Sequence, residues 1–149
     1  IGDGMALIAT TTERFDLLVL DLTDPDTPAG SLYAPPALQR MRQVLAPGGA
    51  LVLHLGSPVF HPQQVQRLVR RLRGVFPQVR CYGVYVPLYG AYWGMAVCSD
   101  TLDATAPTAA QVRERLQARG VGDLQYYNPA VHGALFALPN YYAQLVVPA

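Results

Sequence analysis

Short apolar runs alternate along the chain with longer stretches that carry a single apolar stripe, and this alternation is typical of an α/β domain. The short runs predict strands at residues 15–21, 50–55, 79–86 and 93–98. Charged residues bound the first run, so we expect a strand that is buried on both faces. Residues 87–92, between the last two runs, predict a hairpin-like connection.

Three stretches with a single apolar stripe predict helices. The first begins at the prolines of residues 35–36 and is expected to end at the Pro-Gly-Gly sequence of residues 47–49. The second begins at Pro62 and carries most of its arginines on the outward face. The third begins at Thr108 with a capping-box pattern and ends at Gly120.

Residues 1–149 are expected to belong to one partial domain, because no repeat or low-complexity linker divides them. A complete doubly wound nucleotide-binding domain has two halves built from strand–turn–helix units. Within this sequence, no strand and glycine-rich turn precede the Gly-Asp-Gly of residues 2–4, which favours the second half of such a domain. We expect its sheet to be mostly parallel and to end in an antiparallel hairpin.

Charge is unevenly distributed, although the formal net charge is only +1. Six of the ten acids lie in the first 26 residues, and ten of the eleven basic residues follow residue 39. Every basic residue is an arginine, so this chain supplies no catalytic lysine. The small net charge argues against nucleic-acid binding, and the lack of an 18-residue apolar run argues against a membrane span.

Three carboxylates in this acidic part are candidates for chemistry. Asp21 ends the first predicted strand, and open α/β sheets bind ligands beyond the carboxyl ends of their strands. A partly desolvated carboxylate there suits a general base, and with Asp24 it could hold a cationic amine. The alternative for Asp24, which precedes a proline, is a simple turn initiator. Asp3 could accept a hydrogen bond from an amino group such as that of adenine, but Gly-Asp-Gly is also common in turns.

Aromatic and histidine side chains form a second group of candidates. Tyr92 and Trp93 follow the third predicted strand, where they could either pack the hairpin or face a cation. His54 lies within the second predicted strand, where it either points toward the crevice of Asp21 or is a satisfied core histidine. The three histidines are scattered along the chain, which argues against a zinc site.

Residues 24–33, Asp-Pro-Asp-Thr-Pro-Ala-Gly-Ser-Leu-Tyr, follow the strand that ends in Asp21 and closely resemble the gatekeeping loop of spermidine synthases, the polyamine aminopropyltransferases. Further segments match the family in order and spacing. They are the Pro-Gly-Gly of 47–49, the Ser-Pro of 57–58, and residues 72–77, 86–89, 94–99 and 124–139. The resemblance covers essentially the whole chain. It implies the C-terminal half of a Rossmann-like domain of the class I methyltransferase type.

The resemblance implies transfer of an aminopropyl group from decarboxylated S-adenosylmethionine to putrescine or spermidine, with release of methylthioadenosine. Asp21 matches the catalytic acid that takes the proton from the attacking amine. Other residues match positions that line the two substrate sites. For the nucleoside they are Asp3, Gly4, Pro28, Ala29 and Leu32. For the amine they are Asp24, His54 and Tyr89.

The resemblance also implies an enzyme that needs no metal and no resident cofactor, with decarboxylated S-adenosylmethionine as its co-substrate. It implies a homodimer in the cytoplasm, with no nucleic-acid or membrane partner. The family's N-terminal β-domain and Gly-rich nucleotide motif are not found in these 149 residues. We therefore expect the chain alone to bind the nucleoside poorly.

Departures from the family pattern lie around the expected amine site. His54 stands where many members carry glutamine, and the Trp-Gly of residues 93–94 is closer to the branch that includes thermospermine synthases. The choice of acceptor amine therefore stays open. Two other functions also stay open: half of an S-adenosylmethionine-dependent methyltransferase, or a non-catalytic module that dimerises or binds polyamines.

Overall fold

The computed structural model describes residues 3–21 and 28–147, which form a four-stranded sheet and its surrounding helices. The strands are β1 (Phe15–Leu20), β2 (Leu45–Gly56), β3 (Gln78–Val86) and β4 (Ala91–Ser99). The helices are α1 (Gly4–Thr10), α2 (Pro35–Gln43), α3 (Pro62–Arg73), α4 (Ala109–Ala118), α5 (Pro129–Leu135) and α6 (Asn140–Val146). Two 3-10 segments span Pro28–Tyr33 and Pro87–Tyr89.

The sheet has the strand order β1-β2-β4-β3. β1 and β2 pair in parallel, while β4 runs antiparallel to both β2 and β3. The expected α/β class and the closing antiparallel hairpin are confirmed. The expectation of a mostly parallel sheet is wrong for the described residues, because only one of their three strand pairings is parallel.

β2 begins earlier than the sequence predicted. Leu45 already pairs with Phe15, so the Pro-Gly-Gly of 47–49 lies inside the strand instead of ending the preceding helix. Gly48 adopts a φ of 78°, and the β1–β2 register shifts beside it. A Cβ on Gly49 would lie 2.8 Å from the backbone oxygen of Phe15. The glycines therefore form an irregularity that the ladder accommodates, and α2 ends earlier, at Gln43.

The prediction that β1 is buried on both faces is also wrong for the described residues. Leu17 and Val19 are 55% and 61% exposed. Successive side chains of a strand point to opposite faces, so these two residues share one face. β1 pairs only with β2 in the described structure, and none of the described residues covers that face.

The opposite side of the sheet is covered by helices, which form the hydrophobic core. α2 contributes Leu38 and Met41, and α3 contributes Val65 and Leu72, all at most 1% exposed. Tyr142 of α6 is fully buried in the same cluster. The arginines of α3 lie mainly on its outer face, as the sequence predicted. Among the described residues the longest helix is α3, whose twelve residues fall short of a membrane span.

The third predicted helix is confirmed at both ends. The Thr108 side chain accepts a hydrogen bond from the backbone N–H of Gln111, and the Gln111 side chain accepts one from the Thr108 N–H. Gly120, with a φ of 62°, follows the last turn. α4 then packs beside α5, which places the C-terminal part of the chain against the β3–β4 end of the sheet.

An ion pair holds the loop after β4 against β3. The Arg80 guanidinium donates two hydrogen bonds to the Asp103 carboxylate, at 2.8 and 2.6 Å. Asp103 also accepts hydrogen bonds from the backbone and side chain of Thr105. The bonds from Arg80, followed by those from Thr105, hold the pKa of the Asp103 carboxyl well below its usual range.

Asp103→Asn is expected to lower the free energy of unfolding at pH 7 by about 1 kcal/mol, since this bidentate pair is partly exposed to solvent. The folded-state pKa is depressed, so the stabilisation is present above the unfolded pKa of about 4 and fades as the pH falls below it. Urea unfolding at pH 7 and pH 3 measures the effect, with Asp123→Asn as the control. An equal loss at both pH values would contradict the ion-pair explanation.

Candidate active site

Asp21 and His54 are brought together at the carboxyl ends of β1 and β2. The parallel register pairs Leu20 with Leu53. Asp21 is the residue after Leu20 and His54 is the residue after Leu53, so both follow this last pair of the ladder. The two sequence candidates therefore lie at the same edge of the sheet.

The β3–β4 connection reaches the same edge from the other side. β4 is antiparallel to β2, with Met95 opposite His54, so the start of β4 lies beyond the end of β2. Trp93 is two residues before Met95, and Tyr89 lies in the 3-10 segment that precedes β4. Tyr89 is 54% exposed.

Four rings form a continuous aromatic column along this edge: Tyr33, His54, Trp93 and Tyr89. The Tyr33 and His54 rings meet edge to face, with centroids 6.2 Å apart. His54 stacks on Trp93 at 6.3 Å, with an interplanar angle of 28°. Trp93 contacts Tyr89 at 4.6 Å. The column runs from a fully buried ring to an exposed one, and its exposed end offers a π face to a cation.

Tyr33 contacts His54 at this end of the sheet, although the sequence pattern did not mark it as a candidate. It ends the 3-10 segment Pro28–Tyr33 and is 0% exposed. Its hydroxyl lies 3.2 Å from Nε2 of His54, within hydrogen-bond distance. His54 is 9% exposed. Both alternatives for His54 therefore hold in part, because it is a hydrogen-bonded buried histidine and it also lies at the edge of Asp21.

The structure separates the roles of Tyr92 and Trp93. Adjacent strand residues point to opposite faces, and Tyr92 packs edge to face against Tyr142 at 6.0 Å. The Tyr92 ring lies directly over Gly83, where an added Cβ would meet its atoms at 2.1 Å. Tyr92 therefore packs the hairpin, whereas Trp93 belongs to the aromatic column.

Of the two acidic candidates for the amine, Asp21 and Asp24, the structure describes only Asp21. Asp21 is exposed in the described structure, so the expected partial desolvation is not observed. The reason is that β1 has a described neighbour on one side only. Asp24 lies outside the described residues. Pro28 and Ala29 fall in the 3-10 segment that ends at Tyr33, within twelve residues of Asp21 along the chain.

The remaining nucleoside candidates lie at the start of α1 and in the same 3-10 segment. Asp3 caps α1, with Oδ1 accepting from the N–H of Met5 at 2.8 Å. A Cβ on Gly4 would have no atom within 4 Å, so the space beside it is open. Leu32 is partly buried and packs against the core.

Arg40 orients α1 relative to the sheet. Its guanidinium donates to the carbonyls of Ile8 and Thr11, at 2.8 Å each, and so joins the C-terminal ends of α1 and α2. α2 leads directly into β2, which places both of these ends at the amino edge of β2. Asp3 and Gly4 lie at the other end of α1, away from these contacts.

In residues 3–21 and 28–147, no three His, Cys, Asp or Glu side chains come together in a way that could hold a metal ion. The candidate chemistry of the described edge thus consists of one carboxylate, one imidazole and three other aromatic rings. These groups are suited to accepting a proton and to holding an organic cation.

Two solved structures share the fold of this chain. A spermidine synthase in complex with the transition-state analogue AdoDATO superposes with a TM-score of 0.83 at 24% identity, covering 98% of this chain and 49% of that one. The spermidine synthase from Thermotoga maritima gives a TM-score of 0.78 at 23% identity, covering 98% of this chain and 48% of that one. The fold is therefore the methyltransferase-like α/β fold that these structures share.

The chain belongs to the spermine/spermidine synthase family, because the model of the spermine/spermidine synthase domain matches residues 1–107. A polyamine aminopropyltransferase of Nitrosomonas europaea is 42% identical over 146 residues, 98% of this chain and 45% of the relative. That of Sulfolobus acidocaldarius is 32% identical over 143 residues, 95% of this chain and 47% of the relative. The chain thus spans about half the length of the curated relatives it matches, and a methyltransferase half-domain finds no support among these matches.

Proposed function

We propose that the chain is the part of a polyamine aminopropyltransferase that supplies the catalytic base and the acceptor-amine site. The reaction transfers an aminopropyl group from decarboxylated S-adenosylmethionine to putrescine or spermidine. The observation that carries the proposal is the position of Asp21, at the carboxyl end of β1 and beside the aromatic column. The similarity to curated polyamine aminopropyltransferases supports the same reaction.

Asp21 acts as the general base. An alkylammonium ion has no free electron pair, so a proton must leave the nitrogen before it can attack. The Asp21 carboxylate takes that proton. The nitrogen then bonds to the methylene carbon attached to the sulfonium, while the carbon–sulfur bond breaks. Sulfur keeps the electron pair of that bond and leaves as the neutral thioether of methylthioadenosine.

The aromatic column holds the acceptor. A polyamine has a second cationic nitrogen that does not react, and an aromatic face attracts such a cation without removing its proton. Trp93 and Tyr89 offer these faces near Asp21, and Asp24 supplies a further negative charge in the loop. Asp21 can thus deprotonate one nitrogen of the polyamine while the aromatic rings and Asp24 keep the other nitrogen bound.

The N-terminus of α1 holds the nucleoside of the donor. The open space at Gly4 allows a ligand to approach the backbone closely. The Oδ1 atom of Asp3 is used by the helix cap, which leaves Oδ2 for the amino group of adenine. Pro28, Ala29 and Leu32 close over the nucleoside. The proposal needs no metal and no resident cofactor, because the sulfonium already makes the thioether a good leaving group.

Gly4→Ala is expected to raise the KM for decarboxylated S-adenosylmethionine without lowering the stability of the fold. The new methyl group enters open space in the protein, and alanine is preferred over glycine in a helix by about 0.5–1 kcal/mol. Steady-state kinetics and thermal unfolding measure the two effects. Gly133→Ala, another open position within a helix, is the control and should leave the KM unchanged.

The proposed reaction is tested with the natural gene product that carries these 149 residues. It is incubated with decarboxylated S-adenosylmethionine and putrescine or spermidine, and methylthioadenosine is measured by chromatography. We expect release with at least one amine. Methyl transfer from S-adenosylmethionine would instead indicate a methyltransferase. Saturable amine binding without any release would indicate a non-catalytic polyamine-binding module.

The proposal includes a homodimer in the cytoplasm. Both properties rest on the resemblance to spermidine synthases. Sedimentation equilibrium of the natural gene product should give twice the protomer mass, and cell fractionation should place the protein with cytoplasmic enzymes. A protomer mass over the whole concentration range would contradict the homodimer.

A further inference from the structure

We propose that Tyr33 is a positioning residue that fixes the imidazole of His54, and that this fixed ring determines how tightly the acceptor amine is held. The proposal rests on the proposed function, because the amine site it concerns is that of the aminopropyltransferase reaction. None of the roles implied by the family resemblance includes Tyr33.

The first argument is the burial of the pair. Tyr33 is 0% exposed and His54 is 9% exposed, and the Tyr33 hydroxyl lies 3.2 Å from Nε2 of His54. A hydrogen bond between two buried groups favours the side-chain orientation in which it forms. The hydroxyl therefore selects one orientation of the imidazole, and the core around Tyr33 prevents it from following a ring that turns away.

The second argument is the position of His54 between two other rings. Tyr33 meets one side of the imidazole edge to face, and Trp93 stacks on it with an interplanar angle of 28°. A rotated imidazole would lose this stacking. Trp93 would then lose the surface that sets its distance of 4.6 Å from Tyr89. Tyr33 thus acts on the exposed end of the column through His54.

The third argument is the place of Tyr33 in the chain. It lies twelve residues after Asp21 and ends the 3-10 segment Pro28–Tyr33. The end of β1 and the end of this 3-10 segment are thus both held against β2, through Leu53 and His54 respectively. A change in the contact between Tyr33 and His54 therefore acts on β2 at His54, whereas the end of β1 keeps its own pairing with Leu53.

The test is a double-mutant cycle in the natural gene product. Tyr33→Phe keeps the buried ring and removes only the hydroxyl, and His54→Ala removes its partner. Putrescine and spermidine binding is measured by calorimetry for each single variant and for the double variant. We expect each single change to weaken binding of the preferred amine about tenfold, which is the effect of one buried hydrogen bond. The double variant should bind no more weakly than His54→Ala.

Two further variants separate positioning from a general structural role. Tyr142→Phe removes another buried hydroxyl, which donates to the Tyr82 carbonyl at 3.2 Å, outside the aromatic column. It should leave the amine affinity within about twofold of the parent. His54→Gln keeps a group that accepts a hydrogen bond. In that background Tyr33→Phe should weaken binding again, whereas in the His54→Ala background it should not.

The results for these variants test the positioning role of Tyr33 separately from the proposed reaction. Independent effects of Tyr33→Phe and His54→Ala, which multiply in the double variant, would overturn the positioning role even if the enzyme turns over normally. An equal loss in Tyr142→Phe would overturn it as well. If the coupling is found but no methylthioadenosine is released, the inference stands and the proposed reaction fails. Absence of both amine binding and release would overturn both.

For an active enzyme, kinetics give an independent readout. Tyr33→Phe should raise the KM for the amine about tenfold. It should leave the KM for decarboxylated S-adenosylmethionine near that of the parent, because phenylalanine keeps the buried ring that ends the Pro28–Tyr33 segment. A rise in both KM values to the same extent would show a general loosening of the site and contradict the proposal.

Discussion

Asp21→Asn is expected to lower kcat for methylthioadenosine release at neutral pH by about 10²–10⁴-fold, the contribution of a positioned general base. Asparagine has nearly the same size as aspartate but cannot accept the proton of an ammonium ion. It follows Leu20, whose pairing with Leu53 in the β1–β2 ladder is not altered by the substitution. The loss should therefore appear in turnover and not in the stability of the fold.

The pH dependence of this variant distinguishes a lost base from a distorted site. A free alkylammonium ion titrates near a pKa of about 10.4, the value of a lysine side chain, so its reactive fraction rises about tenfold per pH unit below that value. Asp21→Asn should gain activity at this rate between pH 7 and pH 9. Asp16→Asn, an exposed acid on the same strand, is the control and should keep the parent rate. A parent-like rate in Asp21→Asn would remove Asp21 from the mechanism.

Gly83→Ala is expected to lower the free energy of unfolding by about 1–3 kcal/mol, the usual cost of overpacking a filled site. Gly83 pairs with Gly94 across β3 and β4, and the Tyr92 ring lies over Gly83. A methyl group there would lie 2.1 Å from this ring. The ring cannot move away easily, because Tyr142 of the core packs against it.

Urea unfolding measures this loss, and a second substitution tests its cause. In a Tyr92→Ala background the space above residue 83 is free, so Gly83→Ala should cost much less there. Gly122→Ala adds a methyl group where no atom lies within 4 Å and should change the stability little. An undiminished loss in the Tyr92→Ala background would show that the ring contact is not the reason.

The sequence pattern was sufficient for most of the helices and strands, because their periodicity reflects which side chains face the core. The stripe of α3 and the capping box of Thr108 are local signals, and both were predicted correctly. The Pro-Gly-Gly of 47–49 was misinterpreted because the same residues break a helix and also fit a strand irregularity. The pairing of Leu45 with Phe15 shows that they form a strand irregularity here and do not end the helix.

The candidate site was predicted only where a local sequence signal marks a residue. Asp21 could be placed at a strand end from its position after an apolar run, and the structure pairs the residues just before Asp21 and His54, which are Leu20 and Leu53. The contact between Tyr33 and His54 joins residues 21 positions apart and leaves no periodic signal. The directions of Tyr92 and Trp93 likewise follow from which face of β4 meets Tyr142, which periodicity alone does not specify.

The exposed face and outer edge of β1 have a practical consequence for handling the isolated 149-residue chain. Leu17 and Val19 present apolar side chains to solvent, and the outer backbone groups of β1 have no described strand to pair with. Such an edge recruits strands from other molecules and leads to aggregation. A lysine at position 17, four residues before Asp21, would act as a gatekeeper against this association, so solubility could be improved without replacing any residue of the amine site.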